Sequence, residues 1–491
     1  MKNSILNKEN RKYAKKCLDK IIEMGIDFKL QDDFRKKQIS EEEINKLYNM
    51  PLGQKSMEDI IKVMKEEILP YCSNFATTKF MGFPDAGNSI AGISGAVLSD
   101  FLQQNLINSS FCAPIATYME IAVIKWLREI VGYKKNQINN IEDVGGIITY
   151  GGTGSNSIAM LLARENHRKN TMKEGVNKPD DFKVIIPKGI GHYSIKSSLM
   201  WIGCGDNVIE VPTVDYRYDL KELKKTLTAN KGNVMCVVAY VGDSRGMTID
   251  NLKAVYKVVK EVDESIWLHA DACHGFSLGF SDKLKDKISG IELFDSISTD
   301  PHKVLEVPYT VSALLVKKPN MIKEITTTSD LIMQENYAFG QITPFIGSKS
   351  WMSLKVWFTF QNLGKEGIAK IIERRYAMAQ YLKKKIESKQ EYIVLNDVDI
   401  NSVMFLYVQD KNKMTMSTEE INKLNKKIKE QIDKDGIYFL HQFSINDDNG
   451  KIEKNAIVYP LRYMSGNDNV TKKDIDNMLD YIGSIVKNIK E

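Results

Sequence analysis

Four of the six histidines in this 491-residue chain, His192, His269, His274 and His302, crowd into its middle third beside the ends of short apolar runs. Imidazoles so placed can exchange protons near neutral pH or ligate a metal. In SIWLHADACHGF the run ends on a carboxylate, Asp271, followed by small residues and Gly275. A charge there needs a partner, either structural backbone N–H groups or a reacting group. His269, Asp271 and His274 are also metal-ligand types of the N/O class, but strand alternation aims only His269 and Asp271 to one face. Farther on, FDSISTDPHKVLEVPYTVSALLV sets Thr299, Asp300, His302 and Lys303 in a turn between two predicted strands. A turn lysine is ordinarily a solvated charge. Held in a sheet crevice it would be desolvated, its pKa would fall, and its neutral amine could condense with an aldehyde. Upstream, YGGTGSNSIAMLLA feeds a Gly-rich loop into an amphipathic helix, so the N–H groups of Thr153, Gly154 and Ser155 would face an anion. The loop lacks the GK[ST] of a P-loop and the GxGxxG spacing, which argues against a nucleotide.

In chain order these segments supply a phosphate cradle, then His192 in GHYSIKSS, then Asp271, then Lys303. Pyridoxal 5′-phosphate requires that set: a lysine for its aldehyde, a helix N-terminus for its phosphate, and a carboxylate to keep its ring nitrogen protonated. Read alone, His192 would be a hydrogen-bonded core histidine.

The elements that must hold these groups are legible as texture. From about residue 105 to 365, the runs GGIITY, KVIIP, NVIEVP, VMCVVAYV, SIWLHAD, FDSIS and TVSALLVK alternate with helical stretches. Runs of Val and Ile that do not alternate with polar residues suit a sheet buried on both faces, hence a mostly parallel α/β sheet with its site beyond the strand C-termini. Residues 1–105 read as a charged N-terminal helical arm, 106–365 as the large domain, and 366–491 as a small α+β domain whose helix STEEINKLNKKIKEQIDKDG opens on a Ser/Glu capping box. With 68 Lys+Arg against 63 Asp+Glu interspersed, the chain offers no basic face for nucleic acid. It has no apolar run long enough for a membrane span and no apolar leader. Six scattered cysteines without a CxxC pair point to a reducing, cytoplasmic setting.

GGTGSNS, GHYS, HADACHG and DPHK together resemble the pyridoxal-phosphate-dependent group II amino acid decarboxylases, the family of the aromatic amino acid and glutamate decarboxylases, over roughly residues 70 to 465. The resemblance implies the type I (aspartate aminotransferase-like) fold, a homodimer with its active site at the subunit interface, and decarboxylation of an L-amino acid to an amine and CO2. It implies that Lys303 carries the cofactor, Asp271 pairs with the ring nitrogen, His192 stacks on the ring and Cys273 lies on the opposite face. Thr153, Gly154, Ser155 and His302 would bind phosphate, with Ser244 of YVGDSRGMTID near the ring substituents. Phe80, Phe83 and Pro84 of TTKFMGFPDAGNSIAG would touch substrate, and Tyr337 would return the proton to the substrate carbon. Gly347 and Ser348 of GSKSW would reach the partner's phosphate, and no metal is implied. Departures from the commoner pattern are Asp243 for Thr, Asp300 for Asn, and Gly154 for Ser or Glu. Phe80, Phe83, Phe111 and Trp351 favour an aromatic or large apolar substrate. Arg245 keeps an acidic substrate open, and a lyase or aldolase reaction on the same cofactor is a further alternative.

Overall fold

The computed structural model describes residues 5–490 apart from 36, 85, 86, 334 and 335. Seven strands build the central sheet: β1 Gly146–Thr149, β2 Lys183–Pro187, β3 Val208–Val211, β4 Val234–Tyr240, β5 Trp267–Asp271, β6 Ser296–Thr299 and β7 Ser312–Val316. Their spatial order is β1-β7-β6-β5-β4-β2-β3, and only β7 runs against the rest. Each of the seven apolar runs in the sequence forms one of these strands. β4 (VMCVVAY) is buried at every position, as expected of β-branched and apolar residues covered by helices on both faces. This is the mostly parallel α/β sheet expected from the sequence.

Register brings the polar residues of the C-terminal edge together. Tyr240 of β4 lies beside Asp271 of β5, and His269 and Asp271 lie beside Ser296 and Ser298 of β6. Two helices start at that edge: α1 Gly152–His167, after β1, and α2 Tyr193–Trp201, after β2.

A 35-residue helix, α3 Ser353–Glu387, carries the chain onward and is broken at Gly364, one residue before the division expected at 365. Beyond it, β8 Tyr392–Val394, β9 Ser402–Tyr407, β10 His441–Gln442 and β11 Leu461–Met464 form an antiparallel sheet in the order β8-β9-β11-β10. The helices α4 Thr418–Asp435 and α5 Lys472–Lys490 pack on it. The expected capping box opens α4: Ser417 Oγ accepts from the Glu420 N–H, and Glu420 accepts from the Ser417 N–H.

The N-terminal segment is sewn into this second sheet. Phe80 bridges Phe439, the Met81 N–H donates to Phe439 O (3.0 Å), and the Met464 N–H donates to Met81 O (2.7 Å). A methyl group on Gly82 would lie 2.4 Å from the His441 nitrogen, so only glycine allows the two backbones to meet there. No helix among the described residues is long and apolar enough to cross a membrane.

Candidate active site

A cavity of about 560 Å³ opens between the C-terminal edge of the large sheet and the small domain. Thr153, His192, Ser244, Asp271, Cys273, His302 and Lys303, all expected from the sequence, line it together with Phe83 and Pro84.

Asp271, at the end of β5, is almost fully buried. Its Oδ2 accepts from Asn156 Nδ2 (2.9 Å) and its Oδ1 from the Cys273 N–H (3.3 Å). Burial opposes its ionisation, but His192 and the Asn156 amide outweigh that and hold the carboxyl below its ordinary range. His192 caps α2. Its Nδ1 takes the Ser194 N–H (3.2 Å) and pairs with Ser194 Oγ (2.7 Å), while its own N–H donates to the Tyr240 hydroxyl (2.7 Å). With Nδ1 accepting, the proton of the neutral ring sits on Nε2, and burial lowers the pKa of this imidazole.

Asn156 joins these two groups. Its Nδ2 donates both to Asp271 and to Ser194 Oγ (2.8 Å), and its Oδ1 accepts from Ser298 Oγ (2.7 Å) and faces His269 Nε2 (3.0 Å). His269 Nδ1 in turn pairs with Ser296 Oγ (2.8 Å), which accepts from Trp267 Nε1 (2.8 Å). Both ring nitrogens of His269 are thus spent, and burial drives its pKa down to about 4. Among the described residues, no His, Cys, Asp or Glu cluster is placed to hold a metal ion.

Lys303 lies in the single helical turn Pro301–Val304, and its Nζ is 2.7 Å from Asp300 Oδ2. The sequence led to a lowered lysine pKa. The structure corrects this: desolvation does act against the ammonium, but Asp300 at contact distance, aided by Cys273 and Asp271, overcomes it and raises the pKa. His302 donates from Nδ1 to Val311 O (2.8 Å).

At the N-terminus of α1 the expectation is only partly met. The N–H groups of Gly154 and Ser155 are spent on Gly151 O (3.0 and 3.3 Å), and Ser155 Oγ pairs with Thr149 Oγ1 (2.7 Å), so neither residue lines the cavity. Gly152 and Thr153 stand there, ahead of the first intrahelical bond. A methyl group on Gly152 would come within 2.7 Å of Cys273 Sγ and 3.0 Å of Asp300 Oδ2, so this close approach requires a glycine and leaves the first-turn amides open to an anion.

A model of the pyridoxal-dependent decarboxylase conserved domain matches residues 42–408. The chain belongs to this family. It is a pyridoxal-phosphate-dependent amino acid decarboxylase. Among its relatives are the aromatic-L-amino-acid decarboxylase of Bacillus atrophaeus, 24% identical with 80% of each chain covered, and the acidic amino acid decarboxylase GADL1 of Mus musculus, 25% identical with 88% of this chain and 77% of the relative covered. The structures of Oryza sativa TDC with PLP and tryptamine (TM-score 0.86, 18% identity, 99% of each chain) and of mouse CSAD (TM-score 0.85, 20% identity, 96% of this chain and 98% of that one) share its fold.

The residues of the decarboxylase fit the cofactor. The open amides beside Gly152, the ionised Asp271, the ring of His192 and the Lys303 amine surround one cavity, and its volume leaves room for a substrate. Other expected contacts lie elsewhere in this chain. Phe80 is stacked between Phe34, Phe75 and Phe439, because its backbone pairs with the small domain and turns the ring away from the cavity. The Tyr337 hydroxyl donates to Ile138 O (3.4 Å) and its ring packs on Tyr118. Gly347 and Ser348 are exposed, Phe111 is exposed, and Trp351 is buried outside the cavity.

Sequence reasoning missed Asn156, Tyr240, His441, Phe443 and Arg462, all of which line the site, and read His274, which also lines it, only as a possible metal ligand. Helical spacing would have found Asn156, which lies three residues after Thr153 and so on the same face of α1. Replacing Asn156 with alanine should cost about 2–4 kcal/mol in urea unfolding, because Asp271, Ser194, Ser298 and His269 all lose a buried partner. A loss below about 1 kcal/mol would show that these groups find other partners.

Proposed function

We propose that this decarboxylase acts on an L-amino acid with an aromatic or large apolar side chain, as a cytoplasmic homodimer. The observation that supports this substrate is the outer wall of the cavity. His441 and Phe443 of the small domain lie 5.6 Å apart by ring centroid, with Phe83 6.0 Å from His441 and with Pro84, Tyr193 and Met247 nearby. Such a wall buries a flat, apolar group. When bound, pyridoxal phosphate supplies an aldehyde that takes up an amine and a protonated ring that accepts the electron pair left by a departing carboxylate. The protein's share is positioning: Lys303 would present its nitrogen to the aldehyde, Asp271 would keep the ring nitrogen protonated, and His192 and Cys273 would flank the ring. Thr153 and His302 would hold the phosphate.

One observation favours an acidic substrate instead. Arg462 is almost fully buried at the cavity, bonds only to the carbonyls of Gly82, Ser244 and Arg245, and has no carboxylate within 4.0 Å among the described residues. A buried cation without an anion is costly, and a side-chain carboxylate would relieve it.

The dimer is supported by the helix Ile90–Leu102, which exposes Ile90, Val97, Leu98, Phe101 and Leu102, and by the exposed Gly347 and Ser348 that a partner's site would meet. Free cysteines throughout suit a reducing cytoplasm. A panel of L-amino acids, read by CO2 release and product mass, should show a primary amine formed fastest from aromatic substrates by a species sedimenting at twice the chain mass. Preference for aspartate or glutamate would move the assignment to the Arg462 reading, an aldehyde or keto acid product would assign another reaction, and an active monomer would remove the dimer.

A further inference from the structure

One charge in the cavity runs against its chemistry. Asp300 is 1% exposed, and its carboxylate lies 3.0–3.1 Å from where a Gly152 side chain would begin, so it packs against the first turn of α1, the end that attracts anions. Oδ1 takes the Ser312 hydroxyl, while Oδ2 pairs with the Lys303 ammonium (2.7 Å) and lies 4.0 Å from His302 Nε2. The first turn of α1 at Gly152 and the His302 ring therefore face both this internal anion and any phosphate that enters.

We propose that Asp300 is a built-in competitor of the cofactor's phosphate, occupying part of the positive end of α1 and neutralising Lys303, so that the enzyme gains and loses its cofactor readily. The proposal rests on the assignment of this cavity to pyridoxal phosphate. Like charges brought together in a desolvated site repel strongly, and the groups packed around Asp300 do not cancel the effect. From its own turn come His302 and Lys303, the latter already paired. From the end of β5 come the uncharged thiol of Cys273 and the imidazole of His274, whose pKa burial drives down to about 3. From α2 comes the neutral His192, and from β7 only Ser312. Cofactor occupancy is then set by supply of the cofactor, which makes the fraction of loaded enzyme a point of control.

The test uses pyridoxine 5′-phosphate, which carries the phosphate but no aldehyde, with pyridoxine as the control. Binding to the cofactor-free enzyme is followed by tryptophan fluorescence. Asp300→Asn, which keeps shape and removes the charge, should bind the phosphate ester about tenfold or more tightly than wild type, with pyridoxine unchanged. Asp300→Ser should shift the affinity in the same direction, which guards against a folding defect in one variant. Equal or weaker binding of the ester in both variants, or equal tightening for both ligands, would overturn the proposal. Separately, if wild type forms no borohydride-stable adduct with pyridoxal 5′-phosphate at Lys303, the assignment of the cavity fails and the proposal with it.

Discussion

Lys303→Ala should lose turnover by about four orders of magnitude or more, as expected when the one nucleophile of a covalent mechanism is removed. Among the described residues, Lys303 is the only lysine that lines the cavity. Lys349, which is fully buried, is fixed to Glu120 (2.8 Å) and to Ile148 O (3.1 Å), outside the cavity. The variant should keep its fold, because the Lys303 side chain contributes one ion contact and no packing against the core clusters. Wild-type protein treated with pyridoxal phosphate and borohydride should carry the reduced adduct on the peptide containing position 303, and the variant should carry none. Substantial turnover in Lys303→Ala, or an adduct mapped to another lysine, would reject the assignment.

Removing the charge of Asp271 should cost about 10²–10⁴ in kcat, or about 3–5 kcal/mol of transition-state stabilisation, the range for a preorganised electrostatic group. Two variants separate charge from architecture. Asp271→Ala removes the acceptor of the Cys273 N–H and one of the two acceptors of the Asn156 amide and so loses stability as well as rate. Asp271→Asn retains an oxygen for Asn156 and should unfold near the wild-type midpoint, yet it cannot hold a proton on a ring nitrogen. Both should therefore show the same deep loss of kcat while differing in urea midpoint. Wild-type-like turnover in the Asn variant would mean that the Asp271 charge takes no part in the reaction.

How far the site could be read beforehand follows from where each residue gets its constraint. Asp271, His192 and Lys303 sit at the ends of strands or in tight turns whose local sequence announces them, and HADACHG and DPHK needed no tertiary information. The seven strands were legible because a sheet covered on both faces leaves continuous apolar runs. The reversal of β7 was not, since its SALLV reads the same in either direction. Lys303's charge state was misread for a related reason: desolvation can be inferred from a crevice, but the pairing with Asp300 depends on the three-residue geometry of a helical turn. His441, Phe443 and Arg462 carry no local signal, because it is the folding of the small domain against Gly82 that brings them to the cavity. Phe80 shows the opposite failure, a motif-based placement undone by the backbone pairing of the same segment.

The bond from Arg462 to the carbonyl of Gly82 spans 380 positions of the chain. Contacts of such sequence separation form late, after the loop between them has been ordered. During synthesis, the floor of the pocket can therefore fold while its outer wall is still being translated, and a nascent chain that has not yet released Arg462 presents a half-built crevice to solvent. Vitamin capture in the cell should thus be a late event of maturation, following the docking of Arg462 on Gly82 rather than the first appearance of the reactive amine.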